Sequence, residues 1–422
     1  MGHFELFNSR PASATSWVEA RCRLLVALIV IIGSACDRQA GLGLEQTSVL
    51  TDSAGIELVF SVEPHSAAEW HTGPEPTWQV STMDGMEPLH RVVDAARMPD
   101  GRIVALNGDP VQVLLFDQKE VLVRQFSGRG QGPGEFLKPI ALEVDQQSRI
   151  RVSDGELGPT YIFDTLGTIV HEQHWDLERL FAALGPGRGS ESRIPIAGGR
   201  ALIPVDLRGG PALTTKWQAD WGLRSWVVVD SNYDTFETGD YRSGILAVKS
   251  STTGGGMMVA PLLFHLSHTA TTSDPFRLWI SDAAEYRIDV RDSNGQLLRV
   301  IRKQHVPQRL DDTLVVRLEA EVGAQYRGLS PSEYKAAQAA LPDRQVFPVI
   351  LGLVVDSEGM LWVRETLREW SVFDRAGRWV TTVNLSLHKV YDIGVDYVIG
   401  LALDPDGAES IVELALHRNT PR

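Results

Sequence analysis

Residues 149–167 read RIRVSDGELGPTYIFDTLG, and the way this stretch returns along the chain decides the fold. It holds an alternating apolar strand, a polar strand end, a loop, and a second strand that closes on Asp164, with Gly167 three places on. Asx side chains that bond their own turn and glycine at positive φ are what tight hairpins require. The same pattern recurs as RIVALNGDPVQVLLFD at 102–117, RLWISDAAEYRIDVRD at 277–292 and, one residue shorter, MLWVRETLREWSVFD at 360–374. Glycine again follows Asp292 and Asp374, as Gly295 and Gly377. Weaker copies are WVVVDSNY, centred on Asp230, and the first copy, where Glu120 follows Asp117. A sixth such turn lies near the start of the β-rich region, as VLTDSAG with Asp52 and Gly55.

A second series marks inner hairpins: PDG at 99–101, VDQQS at 144–148, AGG at 197–199, SDP at 273–275, VDSEG at 355–359 and LDPDG at 403–407. Little chain remains after the last of these. The missing outer strands are therefore expected from residues 46–62, so that the two ends of the chain share the last blade. That arrangement pairs edges that would otherwise stay open. Self-similarity of this kind predicts an all-β, six-bladed β-propeller over residues 46–417.

The glycine-rich SGRGQGPGEF at 127–136 invites a phosphate-loop reading. A dinucleotide fingerprint needs a helix opening from the glycines. Here Pro133 interrupts the amide donors and Lys138-Pro139 leads into another alternating strand. The stretch is read as a crossing between blades, with Phe136 packed between them, and not as a nucleotide site.

In this order Gly132 to Phe136, Val144-Asp145, Val152 to Asp154 and Phe163 to Gly167 match the repeat of another group of proteins. The chain resembles the NHL-like six-bladed propellers, especially a group of bacterial lipoproteins. The second copy carries the match most closely. That resemblance implies one opening for function, a metal-dependent lyase or lactonase of the sort that NHL-like relatives include.

The first 35 residues differ in kind. Arg21 and Arg23 precede LLVALIVIIGSA, an uncharged run over 24–35 that ends in small residues before Cys36. Such a run rises about 18 Å as a helix, short of a ~30 Å hydrocarbon core. This is the shape of a bacterial export signal. The GSAC stretch resembles a lipobox, although Gly33 stands where leucine is usual. Residues 1–35 are expected to be a signal peptide, with Val18 as an alternative start. Cys36 is expected to be lipidated, and residues 36–45 to form a tether to the periplasmic face of a membrane. The other cysteine, Cys22, falls inside the leader.

A formal charge of −14 with scattered basic residues argues against nucleic-acid binding. One insertion, about 304–345, contains SPSEYKAAQAALP. Ser330 as N-cap, Pro331 at the first position, Glu333 completing a capping box and Pro342 as a stop predict a short helix over one mouth of the ring.

In register, the strand ends present Asn107, Asp154, Asp282 and Glu365, a candidate binding ring at one mouth of the channel for a divalent cation such as calcium. Equally, such residues cap turns. Two histidine pairs, His171 with His174 and His265 with His268, are weak zinc candidates. A spacing of three puts both on one side of a helix but on opposite faces of a strand, and the segments look like strand ends. No catalytic residue stands out, and no required cofactor is expected. The reading favours a membrane-tethered propeller that offers a rigid face to a protein partner or membrane complex. A metal-dependent lyase or lactonase and a small-ligand or glycan-binding propeller remain the alternatives.

Overall fold

A computed structural model describes residues 47–419 apart from 53, 82–87, 156–157, 186–193, 197–198, 208–215, 251–256, 261–267, 283–284, 307–329 and 341–348. Cys36, His265, Pro342, Ala197 and Gly198 lie outside the described residues.

Six sheets build the ring. Blade one spans strands from Asp94–Arg97 to Leu122–Phe126, and blade two from Pro139–Val144 to Ile169–Gln173. Blade three runs from Ile194–Ile196 to Met257–Ala260, blade four from Thr269–Ser273 to Leu297–Lys303, and blade five from Gly352–Val355 to Trp379–Asn384. Blade six starts at Lys389–Ile393 and ends with Glu409–Asn419, which pairs antiparallel with Glu69–Val80 from the other end of the chain. The first strand of each copy is innermost: Asp94–Arg97 touches Pro139–Val144 on one side and Lys389–Ile393 on the other. The predicted six-bladed β-propeller is therefore observed.

One physical device recurs nine times among the described residues. Asp52, Asp117, Asp145, Asp164, Asp230, Asp292, Asp356, Asp374 and Asp404 each accept, through Oδ1, the backbone N–H groups two and four residues on, at 2.8–3.0 Å. The third residue after each Asp has positive φ, which favours glycine. Glu120, Ser148 and Tyr233 hold that conformation without being glycine, at φ of 67°, 59° and 70°. Tyr233 explains why the third copy is hard to read.

Two expectations about the ends need correction. Residues 46–62 do not complete blade six. Strands Thr47–Thr51 and Glu57–Ser61 form a hairpin on blade four, where Glu57–Ser61 runs parallel to Arg299–Lys303. The closing strand is Glu69–Val80, because its alternation buries Trp70, Trp78 and Val80 against blade six and its neighbours. Between the two, the chain crosses the outer strand of blade five, where Thr381 Oγ1 donates to the Ala68 carbonyl at 2.7 Å. LDPDG likewise joins the second and third strands of blade six, while the inner turn of that blade is Gly394-Val395-Asp396.

The crossing read from GPGEF is confirmed in its packing. Phe136 is fully buried, with ring centroids 5.7 Å from Tyr161 and 6.3 Å from Phe163. Gly134 sits at φ 78°, and a Cβ there would come within 3.1 Å of Ile169. The insertion holds the helix Pro331–Ala339, whose capping box is formed: Ser330 Oγ accepts the Glu333 N–H, and the Ser330 N–H donates to Glu333 Oε2. This helix touches the blade-three strand Thr235–Ser250. A second helix, Leu177–Leu184, was not expected. Its signals are present in the sequence: Asp176 caps the Arg179 N–H at 3.1 Å, Leu180 and Leu184 are buried, and Gly185 ends it at φ 84°.

Candidate functional site

The four strand-end candidates occupy equivalent positions, and their bonds face the chain that leads into a blade or the seam beside it. Asp154 accepts the Leu137 and Lys138 N–H groups at 3.0 and 2.7 Å. Asn107 accepts the His90 N–H at 2.9 Å and donates to the Pro110 carbonyl at 3.0 Å. Asp282 takes the Arg242 guanidinium at 3.0 Å, while Ser281 beside it accepts the His268 N–H at 2.8 Å. Glu365 holds buried Lys303 at 2.7 Å and accepts from the Tyr286 hydroxyl at 2.8 Å. Lys303 also donates to Ser371 and lies 3.8 Å from the Trp379 ring centroid. Burial lowers the Lys303 pKa, against the pull of Glu365.

His171 lies on the outer strand Ile169–Gln173 and His174 just beyond it, and both line one cleft between blades two and three. His268 stands in the lead-in to blade four. Among the described residues, no three His, Cys, Asp or Glu side chains form a group that could hold a metal ion.

A denser titratable cluster lies on and beside the innermost strands, away from the strand ends. Asp94 of blade one accepts the Leu142 and Ala95 N–H groups at 3.0 Å each. Asp392 of blade six accepts from the Arg97 N–H and the Tyr397 hydroxyl, both at 3.0 Å. Tyr391 donates to the Val92 carbonyl at 2.7 Å, Lys389 to the Val93 carbonyl, and Glu409 accepts the Val92 N–H at 2.8 Å. Burial pushes the Asp94 carboxyl up to about 7, opposed by the Leu142 N–H and by Lys389. Asp392 and Glu143 are raised and Lys389 is lowered, each chiefly by burial.

A carboxyl poised near neutrality beside an amine can exchange protons at physiological pH. Beyond the cluster, a cleft of about 380 Å³ lies where the first turns of blades one, two, five and six meet. Arg97 stands there, 4.6 Å from the Tyr397 ring centroid and 3.7 Å from Asp396. The missed signal was an acidic residue inside the first strand of a copy, as in VDAAR at 93–97 and KVYDI at 389–393.

Among the described residues no helix is long and apolar enough to cross a membrane. No family model and no curated protein matches the sequence. Solved structures are similar at low identity. One is a protein of Bacteroides fragilis NCTC 9343 described as exported, at 12% identity and TM-score 0.44, covering 86% of this chain and 99% of that one. Another is a gluconolactonase from Xanthomonas campestris, at 14% identity and TM-score 0.38, covering 90% and 99%. A third is a virginiamycin B lyase from Staphylococcus aureus, with 8% identity, TM-score 0.38 and coverage of 82% and 99%. By its own strand order, this chain is a six-bladed β-propeller.

Proposed function

We propose that this chain is a bacterial lipoprotein of the NHL-like propeller type, held by a lipid on Cys36 at the periplasmic face of a membrane, where it serves as a protein-binding platform or extrinsic subunit of a membrane complex. The observation that carries this reading is the added hairpin on blade four. Leu58 and Phe60 on its inner strand and Val62 just after it are 41%, 41% and 46% exposed. They form an apolar row on one face of the added hairpin, the kind of exposed surface that marks interaction sites when it is contiguous. It begins eleven residues after Cys36, so a tethered chain would carry this face close to the membrane and to whatever is embedded there.

The test is mild-detergent purification of the tagged protein from its own membranes, with mass spectrometry of what remains bound in stoichiometric amount. A defined complex that disappears in Phe60→Glu supports the platform. A lone protein, identical for wild type and Phe60→Glu, counts against it. Cys36→Ser should move the protein into the soluble fraction, and continued membrane association would overturn the lipid anchor.

A second reading, an enzyme acting in the channel as a lyase or lactonase, is favoured by the Asp94 carboxyl near neutrality beside Lys389. Turnover of a lactone panel that is lost in Asp94→Asn, with the melting temperature kept, would move the assignment to it.

A further inference from the structure

We infer that the cleft between blades two and three binds a small organic anion, through Arg151 and His171 from blade two with His174 at the rim. This site is independent of the platform reading.

The cleft measures about 320 Å³, at the small end of ligand pockets. Strand pairing explains its composition. Arg151, Ile162 and His171 are direct cross-strand partners, so they form one row on one face of blade two. Glu143 continues the row inward, 3.7 Å from Arg151, longer than a hydrogen bond. Blade three closes the other side with Gly199, Ser231 and Tyr233. The lower wall is tied shut, because Gln173 Nε2 donates to the Gly199 carbonyl at 3.3 Å and the Asp176 N–H donates to the Tyr233 hydroxyl at 2.6 Å.

Charge selects the ligand. The chain has 54 acidic against 40 basic residues, yet among the described residues that line this cleft are one arginine, two histidines and no carboxylate. The His171 ring has no partner among the described residues, so its donor is available. Glu172 lies on the opposite face of its strand by alternation and, of Arg151 and the two histidines, reaches His174 alone. Asp230, next to Ser231, has its Oδ1 occupied in its own turn. A second cation stands close by, since the Arg179 guanidinium is 4.4 Å from the Tyr233 ring centroid. An anionic head group would meet Arg151 and His171, while Ile162 and Trp175 offer apolar surface to the remainder. Carboxylate and phosphate share this chemistry.

Isothermal titration of the full chain with phenyl phosphate, benzoate and benzyl alcohol tests the inference. The expected result is saturable binding of at least one anion, with benzyl alcohol silent. The preferred anion identifies the head group. Affinity should fall about tenfold or more in Arg151→Gln, the scale of one charge-assisted hydrogen bond, and clearly in His171→Gln. Unchanged melting temperatures will show that both variants are folded, and exposed His171 is a safe second variant should Arg151→Gln melt early. Absence of binding by either anion, equal binding of benzyl alcohol, or affinity indifferent to both substitutions overturns it.

Discussion

Two stretches near the start of the described chain each add themselves to a blade built from distant sequence, and they do so in different ways. Residues 47–61 carry a recognisable turn, Asp52 to Gly55, and end up as decoration on the outside of blade four. Residues 69–80 carry no such turn and close the ring. The difference teaches that the Asp-to-Gly motif reports a local hairpin, whereas closure is decided by which alternating strand can bury its side chains. On the closing strand Trp70, Trp78 and Val80 are 8%, 5% and 0% exposed. On the hairpin's inner strand Glu57–Ser61, Val59 and Ser61 turn inward, while Leu58 and Phe60 face out.

Deletions give the largest expected effect and the sharpest way to break this contrast. A chain starting at residue 62 is expected to keep one cooperative urea transition, whereas a chain starting at 81 is expected to lose it, because blade six then exposes a long strand edge and three apolar sites. Equal behaviour of the two truncations would put closure elsewhere.

Next in size, Trp78→Ala is expected to cost about 3–5 kcal/mol by chemical denaturation, and Val59→Ala about 2 kcal/mol. Trp78 also loses its indole donation to the Asp117 carbonyl, a bond of 3.1 Å.

Glycines refine the comparison at the turns. Gly167 and Gly55 both have positive φ, but a Cβ on Gly167 would come within 2.8 Å of Phe126, while nothing stands within 4 Å of Gly55. Gly55→Ala should therefore cost about 1 kcal/mol from backbone strain alone, and Gly167→Ala about 2–3 kcal/mol as the overpacking is added. In the reverse sense, Ser148→Gly should gain up to about 1 kcal/mol, since Ser148 already holds φ 59°. Thermal melts of the three variants check the order.

The last effect is a slope. Folding raises the Asp94 pKa to about 7, from about 3.9 in an unfolded chain. Between those values the folded state keeps a proton that the unfolded state has released, so this group's contribution to stability falls as pH rises from about 4 to 7. Asp94→Asn should flatten that part of the stability profile. An unchanged profile would show that Asp94 titrates as an exposed carboxylate.

The ring was legible because each copy writes its hairpins locally, in Asp and Gly at fixed spacing. Blade three was faint because its outer strands run to 12 and 16 residues with register shifts, and because Tyr233 replaces the glycine. The strand-end residues were read in correct register, yet what their oxygens meet depends on crossings that linear spacing does not order: Asp154 meets Leu137 and Lys138, but Asp282 meets an arginine 40 residues away on another blade. The channel cluster was hidden for the same reason. Asp94 and Lys389 become neighbours only when the ring has closed, nearly three hundred positions apart.

The strand order also sets how the molecule would answer a pull on its N-terminus. Tension entering at residue 47 meets the hairpin first, then the five parallel pairs from Glu57 with Arg299 to Ser61 with Lys303, reinforced by the Arg299 guanidinium on Glu57. Only after that ladder gives way does the load pass across blade five to Trp70 and the closing strand. Blade four thus stands as a mechanical fuse in series with the ring, and its hairpin can be peeled off while the six sheets stay locked.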